Sequence, residues 1–261
     1  MNEPMMVQAR GLRKTFMVRR QPIEAVRNVS LDVPAGGLLA LLGPNGAGKS
    51  TTMRMLTTLL PPTAGSVHVG GIDAVAEPAR ARRQIGYVGQ KSAVGENYRV
   101  RDELTTQGRC FGLPVNVARE RADEALEMLG IAALANRMPG TLSGGQRRRV
   151  DIAFGLVHRP RVLFLDEPTT GLDPHSRAGV WEQIDRLRAE HDMTVVLTTH
   201  YLDEVERAAG QIVIVDEGEV VAEGTPAELR GRVSGSSSLD DVFIALTGRR
   251  LHETGEAYSR A

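Results

Sequence analysis

An unbroken apolar run, Gly37-Leu-Leu-Ala-Leu-Leu42, leads straight into Gly43-Pro-Asn-Gly-Ala-Gly-Lys49-Ser50-Thr51 and then into a helix-compatible segment. Nothing else in the chain narrows the possible folds as much. Glycines without Cβ let main-chain N–H groups curl around anionic oxygens, and a helix starting near Lys49 turns its positive dipole end toward them. Strand, G-x-x-x-x-G-K-[ST] and helix in that order are the pattern of a phosphate-binding loop, and so of a nucleotide site. Lys49 is then a point charge for the β and γ oxygens, and the Ser50 hydroxyl a ligand for Mg²⁺. Gly43, Pro44, Asn45, Gly46, Ala47, Gly48, Lys49, Ser50 and Thr51 are the candidate contacts. A glycine-rich turn with no ligand is the alternative reading; a Lys and a hydroxyl following in register argue against it.

The chain has 261 residues, enough for one main domain with a sizeable core. Hydrophobic residues at 41% and charged ones at 25% are the balance of a globular protein. Lys+Arg at 32 equals Asp+Glu at 32, so net charge gives no sign of a nucleic-acid partner, and none is expected. The lysines are Lys14, Lys49 and Lys91, which makes Lys49 stand out in an arginine-dominated chain. A single cysteine, Cys110, excludes an internal disulfide or a cysteine metal cluster, fits a reducing cytoplasm, and reads as a small buried or half-buried apolar residue. No apolar run approaches the roughly 18 residues that a membrane-spanning helix needs, and no signal-peptide pattern opens the chain. The expectation is a peripheral protein at most.

Residues Val7 to Val33 read as an antiparallel β region turning at Arg19-Arg-Gln-Pro22, and the helix after the phosphate loop is expected to run to about Leu60, where Pro61-Pro62 stops it. Strands are expected around Val67–Val69 and up to Tyr87-Val-Gly-Gln90. From about 91 to 156 the pattern becomes helical, over Asp102–Phe111, Asn116–Leu129 and Gly145–Leu156, as in an inserted lobe. Buried strands at Val162–Leu165 and Thr194–Thr198 enclose a helix at Ser176–Glu190. A helix at Tyr201–Ala209 and a hairpin around Asp216-Glu-Gly218 follow. Alternating strands and helices imply an α/β sheet with phosphate chemistry at the strand C-termini. Past Gly231, Ser234-Gly-Ser-Ser-Ser238 has the composition of a linker, and Leu239, Val242, Phe243 and Leu246 share one helical face, either docked on the chain's own domain or open to a partner.

Val162-Leu-Phe-Leu-Asp166-Glu167 is an apolar strand that delivers two acids. An Asp there holds Mg²⁺ through water, and the next carboxylate can polarise the water that attacks a γ-phosphate. Leu142-Ser-Gly-Gly-Gln146 is followed at once by Arg147-Arg-Arg-Val-Asp-Ile-Ala153 and, taken alone, could be a plain flexible helix start. At this point the chain resembles the nucleotide-binding subunit of ATP-binding-cassette transporters, for which that pentapeptide is the signature. The resemblance implies an α/β P-loop NTPase (RecA-like) core with an antiparallel β subdomain and an inserted α-helical subdomain. Residues 1–231 would form the nucleotide-binding domain, 91–156 its helical insertion, and 232–261 a linker with a C-terminal helical tail.

The family's site residues carry over singly. The resemblance implies that Ser143, Gly144, Gly145 and Gln146 bind the γ-phosphate of ATP held by a second copy, which makes a head-to-tail dimer. Phe16 matches the aromatic that stacks on adenine, a core Phe being the alternative. Gln90 matches the glutamine that touches Mg²⁺ and the attacking water. Asp166 would join Ser50 and Gln90 in holding Mg²⁺, and Glu167 would orient the water. Asp173 in Gly171-Leu-Asp173 matches the loop that crosses the dimer interface, and His200 the histidine on the γ-phosphate. A solvated helix face or a brace for the lobe accounts for Arg147-Arg-Arg149.

Within the superfamily, the arginine run and the tail Ser238–Gly248 are similar to the daunorubicin/doxorubicin-resistance drug-exporter ATPases, with departures at Leu142 and Gln146, where those relatives often carry an aromatic and a Met. The resemblance implies two copies paired with a separate membrane-spanning subunit, at the cytoplasmic face of the cell membrane, exporting hydrophobic compounds. The segment Ala93–Cys110, just after Gln90, is the expected docking surface for that subunit. An importer ATPase shares the same motifs. A soluble cassette ATPase usually shows two cassettes, a coiled coil or zinc cysteines, and a small-molecule kinase has no use for Leu142–Gln146.

Overall fold

A computed structural model describes residues 4–207, 210–233 and 238–248. Most of the expected linker, 234–237, and everything after Gly248 lie outside those residues, as do Ala208 and Ala209. The chain divides into two compact units, Met1–Ala81 with Val196–Ala261, and Arg82–Val195.

The first unit opens with β1 (Met5–Val18) and β2 (Gln21–Pro34), an antiparallel hairpin. Its turn is tighter than the expected four residues: Arg19 and Arg20 alone make it, both with positive φ, the conformation that matches the twist of a two-residue hairpin loop. Val29, Leu31 and Val33 of β2 alternate into the core, with Val7, Ala9 and Leu12 of β1 beside them. β3 (Leu38–Leu42) is buried at every position, as an apolar run without alternation requires.

The helix α1 (Lys49–Leu56) ends earlier than the prolines predict. Thr58 adopts φ 62, so that Leu59 N–H reaches Arg54 O and Thr58 N–H reaches Met55 O, a Schellman motif that ends the helix at Leu56, four residues before Leu60. Thr57 Oγ1 donates to Met53 O, which also accepts the Thr57 amide. β4 (Ala64–Val69) then pairs with β1, and β5 (Ile72–Asp73) with β4, both antiparallel.

After α2 (Pro78–Arg82) comes the second unit, with β6 (Ile85–Val88), α3 (Val100–Cys110), α4 (Val115–Met128), α5 (Gly144–Leu156), β7 (Val162–Asp166) and α6 (Pro174–His191). Residues 91–156 lie wholly inside it. β6 and β7 pair in parallel from Ile85↔Val162 to Val88↔Leu165. α5 presses directly on β6: a Cβ at Gly86 would stand 2.3 Å from Gly155 O. Ala118, Ala122, Ala125 and Leu126 form the buried stripe of α4. Cys110, expected at least half-buried, is exposed because it ends α3 beyond the inward-facing Leu104 and Gly108.

The chain returns to the first unit along β8 (Thr194–Thr199), then α7 (Leu202–Arg207), β9 (Gln211–Asp216), β10 (Glu219–Gly224), α8 (Pro226–Gly231) and α9 (Leu239–Thr247). Strand order in this unit is β5-β4-β1-β2-β10-β9-β3-β8. β3 runs parallel to β9, which makes the expected hairpin with β10 around Glu217 and Gly218. Leu239, Val242 and Phe243 of α9 are buried and Leu246 is half-buried, with α8, α7 and β10 as the helix's neighbours in the same unit.

α8 was legible in the sequence as a capping box, Thr225-Pro-Ala-Glu228, in which Thr225 Oγ1 accepts from Glu228 N–H and Glu228 Oε2 from Thr225 N–H. At Thr58 a β-branched residue holds a conformation that glycine adopts without strain. Thr58→Gly should therefore raise unfolding free energy by about 0.5–1 kcal/mol after the entropy of the freer unfolded chain is counted. Urea denaturation checks this, and a less stable variant would show that the Thr58 side chain contributes more than its backbone costs.

Candidate functional site

In the first unit the loop between β3 and α1 is shaped by close approaches of main chain. A Cβ on Gly43 would lie 2.2 Å from Val215 O, and one on Gly48, at φ 98, would lie 2.6 Å from Ala25 O. Gly218 N–H donates to Ala47 O and Ala47 N–H to Pro44 O, which fixes the loop on the β9–β10 turn. Lys49, 4% exposed, donates from Nζ to Gly43 O at 2.7 Å and Pro44 O at 2.9 Å, folding its ammonium back over the loop. Gly48 begins α1 without a side-chain cap, and the first amides of a helix have no partner within it. Amides, an ammonium and the half-buried Ser50 hydroxyl are a donor set suited to phosphate oxygens and a hard divalent cation. Asn45 and Gly46 form the exposed rim, Pro44 and Ala47 are buried, and Thr51 is half-buried.

Phe16 is not a core residue. It is 36% exposed on β1, opposite Ile23, with Lys14 Nζ 5.4 Å from its ring centroid. His200 follows β8 and is half-buried, its ring 4.1 Å from that of Tyr201. Thr199 Oγ1 shapes that turn by accepting from Tyr201 N–H and donating to Glu204 Oε2.

The remaining candidates stand in the second unit. β7 ends on Asp166, 2% exposed, and Glu167 follows at φ 47, a left-handed conformation uncommon for Glu. Thr170 Oγ1 donates to Glu167 Oε2 at 3.2 Å. Gln90 is exposed, two residues past β6. Ser143 N-caps α5 in a capping box: its Oγ accepts from Gln146 N–H, and Gln146 Oε1 accepts from Ser143 N–H. Gly144 is exposed, whereas Gly145 is buried where a Cβ would meet Ser176 Oγ at 2.7 Å.

Ser176 also donates its hydroxyl to Asp173 Oδ2 and its amide to Oδ1, so Asp173 caps α6 while Ser176 touches the start of α5. These hydrogen bonds from Ser176 hold the Asp173 carboxyl below its ordinary range. The structure thus brings Ser143, Gly145, Gln146 and Asp173 into one cluster, organised by a serine that the sequence reading passed over.

The brace expected of the arginine run falls to Arg148, with Asp151, to which the sequence reading gave no role, on the same helix. The three arginines after the signature take three directions: Arg147 meets Glu96 at 3.3 Å, Arg149 is half-buried beside Gln146 and His175, and Arg148 is 7% exposed. Arg148 Nε donates to Pro168 O at 2.8 Å, Nη1 to Gly89 O at 2.7 Å and Nη2 to Asp166 O at 3.2 Å. Of the two readings of the run, the brace describes Arg148 and the solvated face does not. Burial lowers the Arg148 pKa, opposed by the charges of Asp151 and Asp166. Asp151 Oδ1 accepts from Ser92 Oγ and Ala93 N–H, both at 2.9 Å, and burial raises its pKa. A helical period that turns the middle of three arginines inward was the signal available.

Fold and loop together define a phosphate-loop ATPase of the α/β class. The ABC transporter family model matches residues 26–170. The chain is 45% identical over 255 residues to the daunorubicin/doxorubicin resistance ATP-binding protein DrrA of Streptomyces peucetius, covering 98% of this chain and 72% of that one. It is 42% identical over 252 residues to the doxorubicin resistance ATP-binding protein DrrA of Mycobacterium tuberculosis, covering 97% and 73%. The linearmycin resistance ATP-binding protein LnrL of Bacillus subtilis is 38% identical over 248 residues, covering 95% and 76%. Among solved structures, the dimeric post-hydrolysis state of the ATP-binding cassette MJ0796 bound to ADP and Pi matches with TM-score 0.75 and 30% identity, over 84% of this chain and 98% of that one. This chain belongs to the ABC transporter family, and its chemistry is ATP hydrolysis coupled to transport.

The contact between Gly145 and Ser176 is directly testable. Gly145→Ala should destabilise the protein by about 1–3 kcal/mol through overpacking, and adding Ser176→Gly should return part of that loss. Denaturant unfolding of the single and double variants measures the coupling, and strictly additive effects would contradict the contact.

Proposed function

We propose that this chain is the ATP-binding and ATP-hydrolysing subunit of an exporter of hydrophobic compounds, acting as two copies on a separate membrane-spanning subunit at the cytoplasmic face of the membrane. The observation that carries this reading is the likeness, over nearly the whole chain, to relatives named for resistance to doxorubicin, daunorubicin and linearmycin. No described helix is long and apolar enough to cross a membrane, so the reading assigns the path for cargo to another subunit.

In this account Phe16 offers its exposed face to the adenine ring, while the loop from Gly43 to Thr51 receives the phosphates on main-chain amides and Lys49. Ser50, Gln90 and Asp166 are the residues to hold a Mg²⁺ ion, which when bound neutralises phosphate charge. Glu167 accepts a hydrogen bond from the attacking water. The water oxygen bonds to the γ-phosphorus as the bond to the β–γ bridging oxygen breaks, and the products are ADP and inorganic phosphate. His200 adds a contact to the γ-phosphate. Ser143, Gly144, Gly145 and Gln146, with Asp173, face the nucleotide of the second copy, a reading supported by the dimeric form of the MJ0796 cassette. ATP then closes the pair, and hydrolysis reopens it. The segment Ala93–Cys110 is the proposed contact with the membrane subunit. An importer would use the same ATPase, and only the identity of that subunit separates the two.

Glu167→Gln should keep ATP binding, accumulate an ATP-bound dimer in size-exclusion chromatography, and reduce steady-state turnover by about 100-fold or more. Lys49→Ala should weaken binding of a fluorescent ATP analogue instead. Turnover at the wild-type rate in the Glu167 variant would sink the assignment of roles.

A further inference from the structure

α5 carries the signature at its N-terminus and, within the next two turns, two buried ionisable side chains whose hydrogen bonds leave the helix for the turns that bear Gln90 and Glu167. The acceptors of Arg148 are main-chain carbonyls of Gly89, Asp166 and Pro168, one residue before Gln90 and one on each side of Glu167. Asp151 takes the other side of Gln90, through Ser92 Oγ and Ala93 N–H. We propose that Arg148 and Asp151 are positioning residues for ATP hydrolysis, through which the signature helix holds the Gln90 and Glu167 turns in reactive geometry. This rests on the ATPase reading given above.

Three features carry the inference. First, Glu167 sits at φ 47, and a side chain other than glycine persists there only where its surroundings fix the backbone. Arg148 fixes it from both sides, at Asp166 O and Pro168 O. Second, burying a guanidinium and a carboxylate is costly, and apolar packing of equal volume commonly serves stability as well or better. A purely structural contact has no need of this pair. Third, three carbonyls on two separate turns match the planar fork of Arg, which a single ammonium cannot span. Because every Arg148 bond goes to main chain, a tilt of α5 when its N-terminus grips a phosphate shifts both turns together. The signature thereby reports a partner's nucleotide to the residues that act on water.

The test compares wild type, Arg148→Lys, Arg148→Gln, Asp151→Asn and Glu167→Gln as full chains, measuring steady-state ATPase, affinity for a fluorescent ATP analogue and thermal stability. Both Arg148 variants should lose about tenfold or more in kcat, and Asp151→Asn about threefold, with nucleotide affinity within about threefold of wild type. Arg148→Lys should not rescue, since charge without the fork is insufficient. Wild-type kcat in Arg148→Lys and Asp151→Asn would overturn the proposal. So would parallel loss of affinity, stability and kcat in both, which would assign the pair to folding alone. If the wild-type chain fails to hydrolyse ATP, or Glu167→Gln matches it, the ATPase reading falls and takes this proposal with it. An active wild type and inactive Glu167→Gln beside unimpaired Arg148 variants removes this proposal alone.

Discussion

The buried guanidinium of Arg148 is the interaction on which the acid-bearing end of the second unit depends. Gly89 O and Pro168 O lie past the ends of β6 and β7, and Asp166 O belongs to the last residue of β7. Buried carbonyls without partners are expensive, and a hydrogen bond from a charged donor contributes about 1.5–3 kcal/mol. One side chain therefore settles three main-chain groups and, with them, the direction in which the strand ends present Gln90, Asp166 and Glu167. Asp151, on the same helix, offsets part of the burial cost by its charge while tying down Ser92 and Ala93.

The same economy of main chain runs through the phosphate loop. There the groups suited to an anion are amides, and the glycines at 43 and 48 are required because Val215 O and Ala25 O leave no space for a methyl group. Lys49 donates to carbonyls of its own loop, and a ligand with phosphate oxygens would offer its ammonium acceptors of full negative charge. In both units binding groups are held by backbone that is itself held, which is how a site keeps its geometry without a large cost on each turnover. The balanced charge of the chain agrees with this picture, in which positive charge acts at chosen points and not as a general field.

Much of this was readable from residue order. The apolar runs at Leu38–Leu42 and Val162–Leu165 are strands buried at every position, and the phosphate loop and the two acids stand at their C-terminal ends. Misses arose where tertiary contact overrode local signals. α1 ends at Leu56 because Thr58 accepts a glycine-like conformation, which no propensity for Thr would suggest. Arg147-Arg-Arg149 is uniform as a string, yet the helical period sends the middle residue inward and leaves both neighbours half-buried. Gly145 also carries a packing demand, its contact with Ser176, that only the approach of α5 and α6 reveals. The capping box that starts α8 is present in the letters as Thr225-Pro-Ala-Glu228.

The central claim is that this ATPase drives a separate membrane subunit. The most direct measurement is affinity purification of the tagged chain from native membranes in mild detergent, with identification of what accompanies it. The account predicts a polytopic membrane protein in stable proportion to the chain, which leaves with it and raises its ATP turnover when hydrophobic compounds are added. Recovery of ribosomes or nucleic acid instead, with the chain wholly outside the membrane fraction, would contradict it.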